Sequence, residues 1–138
     1  MASNIDIKTK TKIAYNSASD HYDDSPLSFW DYHGKKTVEY LNLKKGFHVL
    51  DLGCGSGASA IVSAEEVGNT GKVIGIDLAE KMLELAIKKA EKKSLTNIQF
   101  LNGDLTNLKD FSDCQFDAVV CIFAIFFADN MKKQIEEM

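Results

Sequence analysis

Short apolar runs alternate with amphipathic stretches along the chain from about residue 47 onwards. Four runs rich in β-branched and aromatic residues predict strands: FHVLDL (47–52), KVIGID (72–77), NIQFLN (97–102) and FDAVVCIFA (116–124). Between them, small and apolar positions predict a helix over 58–67, and three- and four-residue spacing predicts another over 79–93. The residues from Asp129 onwards have the character of a helix start. The fourth run is apolar on both faces, which is typical of an internal strand.

Strands that alternate with helices indicate an α/β fold in which a mostly parallel sheet is doubly wound. Crossovers between parallel strands are right-handed, which places helices on both faces and predicts three α/β/α layers of Rossmann-like type. Ligands of such sheets bind beyond the carboxyl ends of the strands, where the strand order reverses. The segment VLDLGCGSGAS (49–59) runs through the first strand and beyond it, so we expect its glycines at that edge.

The chain ahead of the first strand has a different pattern. Residues 5–20 are polar with few breakers and predict a weak helix, and DDSP (23–26) predicts a turn. An amphipathic helix follows over 28–42, with Gly34 as an unfavourable residue inside it. Three lysines of the first helix are expected to be solvated: Lys8, Lys10 and Lys12. The pattern divides the chain into two parts: an N-terminal helical cap (1–45) and a core (46–138).

Composition and charge narrow the function classes. The chain has 138 residues, 45% of them hydrophobic, and one proline, which agrees with a single globular domain. Its formal net charge of −4 disfavours a dedicated nucleic-acid-binding protein, which normally presents a basic face. The apolar run AVVCIFAIFFA (118–128) is too short to span a bilayer as a helix. We therefore expect neither a nucleic-acid nor a membrane partner.

The cysteines bear on the compartment. Cys54, Cys114 and Cys121 form no CxxC pair, and no spacing of Cys, His or acidic residues suggests a metal site. An odd number of cysteines at such spacings is typical of reduced thiols in the cytoplasm. The N-terminus MASNIDIKTKTK also lacks the apolar stretch of a signal peptide. The expected location is therefore cytoplasmic.

Three glycines, Gly53, Gly55 and Gly57, mark the loop after the first strand. Glycine is favoured where the backbone turns tightly and a ligand approaches it closely. With Ala58, the loop also satisfies the looser GxGxxA form of a dinucleotide site. The loop alone therefore leaves NAD and other adenosine ligands open.

Three carboxylates sharpen the choice of ligand. Asp77 closes the second strand, 20 residues beyond Gly57, where it can accept hydrogen bonds from both hydroxyls of a ribose. Asp51, at the tip of the first strand, would repel a pyrophosphate and favour a positive group. Asp104, after the third strand, can accept from an adenine amine while the backbone N–H of Leu105 donates to a ring nitrogen. A ribose diol, an adenine amine and a cation are features of S-adenosylmethionine (SAM).

With these residues the sequence resembles the class I, Rossmann-like, SAM-dependent methyltransferases. The resemblance covers about residues 46–130 and rests on four segments in the order of that family: VLDLGCGSG (49–57), VIGIDLAEKMLELA (73–86), NIQFLNGDLTNL (97–108) and FDAVVCIFAIFF (116–127). The first two segments together carry most of the specificity. The overall similarity is to the small-molecule branch, which includes ubiquinone/menaquinone-type and related C-, O- and N-methyltransferases.

The resemblance implies a position against the cofactor for each residue that matches the family's motifs. The methionine moiety would contact Asp51, Gly53, Cys54 and Gly55, with Gly57 in the same loop. Asp77 would hold the ribose, and the adenine would contact Leu78, Met82, Gly103, Asp104 and Leu105. Cys121, at the end of the fourth strand, would lie beside the sulfonium. Cys54 would contribute its backbone and not its thiol.

The resemblance further implies that the protein transfers a methyl group from SAM to an oxygen, nitrogen or carbon of a small-molecule acceptor. The product of the cofactor would be S-adenosylhomocysteine (SAH). In the family the N-terminal segment often forms a lid, and the aromatic residues of this cap would line an acceptor pocket: Tyr15, Tyr22, Phe29, Trp30 and Tyr32. His21 and His33 in the cap, and His48, are candidate bases by residue type alone, so no catalytic residue is assigned.

The predicted elements depart from the family pattern in one respect. The family fold usually has seven strands, the last two forming an antiparallel hairpin, whereas this sequence predicts four. The fourth strand would then be a bare sheet edge, which predicts a homodimer, and the acceptor-side wall would be missing. The sequence therefore predicts a truncated methyltransferase and does not identify its methyl acceptor. Two alternatives remain: an NAD-dependent oxidoreductase, and a non-catalytic cofactor-binding or dimerisation fragment of the same fold.

Overall fold

The structure, a computed structural model, describes residues 6–24 and 29–138. Its helices are α1 (Ile7–Ala18), α2 (Phe29–Leu41), α3 (Ala58–Val67), α4 (Glu80–Lys92) and α5 (Met131–Glu137). Its strands are β1 (His48–Leu52), β2 (Lys72–Asp77), β3 (Ile98–Asn102) and β4 (Ala118–Val120). Two short 3₁₀ turns lie at Ser19–His21 and Ile125–Phe127.

The four strands form one parallel sheet in the order β3-β2-β1-β4. β1 pairs with β2 on one side and with β4 on the other, so Asp51 lies between Gly75 and Val120. The chain moves outward from β1 to β3 and then returns to the far side of β1, so the strand order reverses between β1 and β4. The predicted Rossmann-like α/β fold is confirmed, and this reversal marks the carboxyl end of β1 as the ligand edge.

Alternation along the strands gives the sheet two apolar faces. Val49 and Val73 belong to a core cluster with residues of α3 and α4. Leu50 and Leu52 belong to a second cluster on the opposite face, where the connection between β3 and β4 and the segment after β4 supply the packing. The helices α3 and α4 therefore share one face of the sheet, and largely irregular segments cover the other.

The N-terminal helices pack on the core. α2 crosses α3 closely at Gly34, where an added Cβ would come within 2.8 Å of the backbone carbon of Ala58. Glycine weakens a helix by about 1 kcal/mol, and this close approach explains its presence in α2. The predicted ends of the two helices, at residues 20 and 42, lie within two residues of the ends of α1 and α2. The predicted helix starts at Ile5 and Ser28, and the turn positions 25 and 26, lie outside the described residues.

The prediction of solvated lysines in the first helix is wrong for two of the three. Lys8 Nζ lies 2.6 Å from a carboxylate oxygen of Asp104, beyond β3, and Lys12 pairs with Glu80 at the start of α4. Lys10 is exposed, as expected. The pairs form because α1 lies across the carboxyl edge of the sheet, a placement that charge spacing along α1 does not reveal.

The fourth strand is shorter than its sequence predicts. Ala118–Val120 pair with β1, and the chain then turns through Phe123, whose φ of 54° lies in the left-handed region. Ala124 packs so closely on the glycine loop that a Cβ added to Gly53 would lie 2.4 Å from the Cβ of Ala124. The pairing with β1 ends at Val120, so Cys121 lies after the strand and not at its end. β4 is the predicted edge strand, but its edge is only three residues long.

Candidate functional site

The glycine loop, residues 53–57, is held against the end of β2 by its own backbone. The N–H groups of Gly53 and Cys54 both donate to the carbonyl of Ile76, at 2.8 and 3.0 Å. Gly53 and Gly55 have φ angles of 72° and 53°, a conformation that favours glycine. The loop therefore curls at the carboxyl end of β1, at the edge where the fold predicts a ligand.

Asp77, at the end of β2, uses both carboxylate oxygens to hold the surrounding backbone. Oδ2 accepts a hydrogen bond from the N–H of Gly55 at 2.8 Å, and Oδ1 accepts from the N–H of Ala79 at 2.9 Å. Burial raises the pKa of Asp77 above its ordinary value, while these hydrogen bonds act in the opposite direction. Each oxygen has a second lone pair, so the carboxylate can still accept hydrogen bonds from a ligand.

Asp51, near the end of β1, is fully buried, with 0% of its surface exposed. Its Oδ2 accepts a hydrogen bond from Ser59 Oγ of α3, whereas its Oδ1 has no partner among the described residues. The pKa of Asp51 is raised to about 7, mainly by burial. The hydrogen bond from Ser59 acts to lower this pKa, and the charge of Asp77 acts to raise it. A buried carboxylate oxygen without a partner is unfavourable, so a nearby positive group would stabilise it.

Ser59 is a site residue that the sequence analysis missed. It lies in the first turn of α3, two residues after Gly57, and is 5% exposed. The first turn of a helix that follows a strand lies beside the end of that strand. This position, together with a hydroxyl group in a helix of small and apolar residues, was the available signal.

Asp104, after β3, is bound to the N-terminal cap. Its Oδ2 accepts from Lys8 Nζ at 2.6 Å, and its Oδ1 accepts from the N–H and the hydroxyl of Thr106 at 2.8 and 2.7 Å. Burial acts to raise the pKa of Asp104, but the hydrogen bonds from Lys8 and Thr106 outweigh it, so the pKa lies below its ordinary value. Asp104 is therefore an ionised carboxylate that already has a cationic partner.

A cleft of about 830 Å³, open to solvent, lies over the glycine loop. Seven of the predicted cofactor residues line it: Gly53, Cys54, Gly55, Asp77, Leu78, Gly103 and Leu105. A smaller cavity of about 260 Å³ contains Asp104 and shares Leu78 and Leu105 with the cleft. The structure thus brings most of the predicted residues together around two adjoining spaces.

The remaining predicted residues do not line the cleft. Met82 is 0% exposed, and its Cε would lie 3.6 Å from a Cβ added to Gly55. Gly57 caps α3, where an added Cβ would lie 3.1 Å from side chains of α3 and α4. Cys121 packs against the second core cluster, and burial raises its pKa to about 11. Asp51 lies buried at the end of β1, as described above.

Aromatic side chains form a large part of the cleft lining: Tyr15, Tyr22, Trp30, Phe123 and Phe127. The rings of Tyr22 and Trp30 stack with centroids 5.8 Å apart and planes inclined by 6°. Phe123 has a positive φ, which is an uncommon and strained conformation for a bulky residue. Such conformations are found most often at ligand sites. This aromatic part of the cleft lining therefore has the chemistry of a pocket for an apolar molecule.

The three histidines lie outside the cleft. His33 contacts Phe123, with ring centroids 5.8 Å apart, but it is not among the lining residues. His21 pairs with Asp24 and is largely exposed. His48 is the first residue of β1, so it lies at the opposite edge of the sheet from the glycine loop. Within the described residues, Asp77 is the one charged side chain that lines the cleft, so no base for an acceptor is assigned.

The comparison with known families decides between the candidate folds and ligands. A family model described as "Methyltransferase domain" matches residues 43–138. The chain belongs to this methyltransferase family. Among the described residues, no helix of this methyltransferase domain is long and apolar enough to cross a membrane.

Individual relatives agree with the family. Demethylmenaquinone methyltransferase of Staphylococcus saprophyticus is 35% identical over 129 residues, covering 91% of this chain and 54% of that protein. Aklanonic acid methyltransferase DauC of a Streptomyces species is 34% identical over 120 residues, covering 87% and 54%. The methyltransferase domain thus spans about half the length of these curated relatives.

A solved structure supports the same assignment. The crystal structure of a SAM-dependent methyltransferase from Aquifex aeolicus superimposes with a TM-score of 0.72 at 29% identity, covering 88% of this chain and 64% of that one. The predicted methyltransferase family is therefore confirmed, and this solved relative is one that depends on SAM. The comparisons favour the methyltransferase prediction over the alternative of an NAD-dependent oxidoreductase.

Proposed function

We propose that this protein binds SAM in the cleft and transfers its methyl group to an oxygen, nitrogen or carbon of a small-molecule acceptor. The observation that carries the proposal is the chemistry of the lining: a glycine-rich backbone and the carboxylate of Asp77, with no basic side chain among the described lining residues. This charge favours a cationic nucleoside and disfavours the pyrophosphate of a dinucleotide. The family supports the same reading.

The residues present fit the amino-acid and ribose parts of SAM. Oδ1 of the buried Asp51 has no partner among the described residues, and a cationic group near the end of β1 would stabilise it. We propose that the backbone of Gly53, Cys54 and Gly55 holds the methionine moiety. Burial raises the pKa of the Cys54 thiol well above its ordinary value, which supports a contribution from its backbone alone. Asp77 would accept the ribose hydroxyls through its remaining lone pairs.

At the adenine end, Leu78 and Leu105 line both spaces and would enclose the ring, beside the backbone of Gly103. Asp104 would accept a hydrogen bond from the adenine amine, with Lys8 as its neighbour. Three residues assigned by resemblance would support the cleft without lining it. Met82 and Gly57 pack beneath the glycine loop, and Cys121 precedes the lining residue Ile122.

When bound, SAM supplies the methyl group on a sulfonium, and this chemistry belongs to the cofactor. The chain itself would hold the reacting groups in line and exclude water. Thr11, Tyr15, Tyr22 and Trp30 of the cap line the cleft, which supports the proposal that residues 1–45 act as a lid over the core at 46–138. Burial raises the pKa of Tyr22, so its phenol stays neutral and can donate a hydrogen bond to an acceptor.

The aromatic part of the cleft lining would contact the methyl acceptor. Its stacked rings favour a flat molecule. Two relatives are named for demethylmenaquinone and aklanonic acid, which supports a small-molecule acceptor. The net charge of −4 supports the prediction that nucleic acid is not a partner.

Two further expectations stay as proposals. A cytoplasmic location is supported by Cys54, Cys114 and Cys121, all three of which are free thiols. A homodimer through β4 is supported by its place at the sheet edge and by two exposed apolar side chains beyond it, Phe126 and Ile135. Sedimentation velocity tests the dimer, because a monomer at high protein concentration would contradict edge pairing.

Isothermal titration calorimetry with SAM, SAH and NAD tests the cofactor. We expect SAM and SAH to bind and NAD to bind more weakly, and tighter binding of NAD would overturn the proposal. Transfer of a radiolabelled methyl group from SAM to a panel of phenols and quinols then tests the reaction. Binding of SAM without transfer to any acceptor would favour the non-catalytic alternative.

A further inference from the structure

Lys89 of α4 does not line the cleft, yet it joins three parts of the chain. Its Nζ lies 2.9 Å from Asp23 Oδ2 and 3.5 Å from Asp31 Oδ1, both in the cap. It also donates to the hydroxyl of Ser56, in the glycine loop, at 3.3 Å. Ser56 in turn donates to Asp23 Oδ1 at 2.8 Å. One ammonium group thus connects α4, the cap and the glycine loop.

The two acids bound by Lys89 are sequence neighbours of the stacked rings in the cleft. Tyr22 precedes Asp23, and Trp30 precedes Asp31. Both rings line the cleft and lie parallel to within 6°. Adjacent residues share a peptide unit. When Lys89 holds the carboxylates of Asp23 and Asp31, it therefore also restrains the neighbouring rings of Tyr22 and Trp30 relative to each other.

The pair of Lys89 and Asp23 is more buried than an ordinary surface ion pair. Their side chains are 28% and 25% exposed and Ser56 is 2% exposed, whereas Asp31, the more distant acid, is 56% exposed. By contrast, Lys93, just after the end of α4, forms an ion pair with Glu65 in which the two side chains are 50% and 41% exposed. Partly buried pairs are less screened by solvent and salt than exposed ones.

The glycine loop is held from two sides as a result. On one side, Asp77 accepts from the N–H of Gly55. On the other side, Ser56, the next residue, bonds to Asp23 and Lys89. Both acids lie within 3.5 Å of one nitrogen, so their charges would repel each other if Lys89 were absent.

From these contacts we infer that Lys89 is a positioning residue that couples the placement of the cap residues Tyr22 and Trp30 to the conformation of the glycine loop. It acts through Asp23 and Asp31 on the Tyr22–Trp30 pair, and through Ser56 on the loop. The effect on the aromatic pair stands on the contacts alone, whereas the effect on cofactor affinity rests on the proposed function.

Fluorescence gives a direct readout, because Trp30 is the only tryptophan of the chain. The test compares acrylamide quenching of wild type and Lys89→Met, with Lys88→Met as the control, since Lys88 is an exposed neighbour on the same helix. We expect a larger quenching constant and emission at longer wavelength in Lys89→Met alone. Lys89→Arg, which keeps the charge, should resemble wild type. A purely stabilising lysine would change the unfolding temperature without exposing Trp30 in the folded protein.

Calorimetry with SAH measures the second part of the inference. Lys89→Met should bind SAH roughly three- to thirtyfold more weakly than wild type and Lys88→Met, as expected for lost charged hydrogen bonds. If Lys89→Met fails to fold by circular dichroism, Asp23→Asn replaces it, because it removes the same pair from the other partner.

Equal quenching in wild type and Lys89→Met, or an equal rise in Lys88→Met, would overturn the inference. Normal SAH affinity in a variant with exposed Trp30 would overturn the coupling to the loop. If wild type does not bind SAH, the proposed function fails, while the quenching comparison still decides whether Lys89 positions the aromatic pair.

Discussion

The N–H of Gly55 donates a hydrogen bond to Asp77 Oδ2 across 2.8 Å, between residues that are 22 positions apart in the sequence. The carboxylate that we propose for the ribose hydroxyls is therefore also the anchor of the glycine loop. A change at Asp77 would affect the cofactor directly and through the loop backbone.

Replacement of Asp77 by alanine should weaken SAH binding by roughly 1–3 kcal/mol, because charged hydrogen bonds to the ribose are lost. Calorimetric titration measures the loss, and Asp113→Ala, an exposed acid far along the chain, is the control. An SAH analogue without ribose hydroxyls should lose less affinity in Asp77→Ala than SAH does, and the loss that remains measures the effect through the loop backbone. Unchanged SAH affinity in Asp77→Ala would refute the ribose assignment.

Asp104 should distinguish adenine from hypoxanthine. Its carboxylate accepts from Lys8 and Thr106 and keeps capacity for one more donor, which we assign to the adenine amine. Wild type should prefer SAH over S-inosylhomocysteine by roughly tenfold, and Asp104→Ala should lose that preference. Competition binding measures both ratios. A preference that survives in Asp104→Ala would place adenine recognition elsewhere.

Gly53→Ala should destabilise the fold more than Gly46→Ala, although both glycines have positive φ, 72° and 88°. A Cβ at Gly53 would lie 2.4 Å from Ala124 Cβ, whereas at Gly46 the nearest atom would be Thr70 Oγ1 at 3.6 Å. We expect a loss of about 1–2 kcal/mol for Gly46→Ala from backbone strain alone. The loss for Gly53→Ala should be roughly 1–3 kcal/mol larger because of the steric overlap.

Urea denaturation gives both free energies of unfolding. Equal losses for the two variants would mean that Ala124 moves away at no cost, and that the glycine loop does not hold the turn after β4.

Asp51 should make stability depend on pH. Its ordinary pKa of 3.8 describes the unfolded chain, whereas the folded pKa is about 7. Between these values the folded state binds a proton that the unfolded state has released, so the free energy of unfolding falls as pH rises from about 4 to 7. Above pH 7 the buried carboxylate is ionised and the loss is complete.

Asp51→Asn removes this titration and should be more stable than wild type at pH 8, with an advantage on the order of 2–4 kcal/mol that shrinks towards pH 4. Thermal unfolding across this range measures the difference. Asp113→Asn should show no such change with pH. A constant difference between Asp51→Asn and wild type would show that Asp51 keeps an ordinary pKa in the fold.

The parallel sheet and the position of the glycine loop could be predicted from local sequence patterns. The strand at 72–77 and the helix at 58–67 have the predicted bounds, because their apolar periodicity is uninterrupted and turn residues flank them. The fourth strand could not be bounded in this way. Its apolar run continues to Ala124, but the pairing ends at Val120 and Ala124 packs on Gly53, a tertiary contact that the local pattern does not reveal.

The sequence by itself determined the fold class, the loop at the end of β1 and the three acids near it, because hydrophobic periodicity and glycine placement act over a few residues. Tertiary structure alone decided what those acids contact. Lys8 meets Asp104 across 96 residues, and Ser56 meets Asp23 across 33. Such contacts depend on how helices pack over the sheet edge, and a polar side chain carries no local sign of its distant partner. For that reason the sequence named the carboxylates, and the packing of the cap and α3 decided which were paired and which oxygen of Asp51 was left without a described partner.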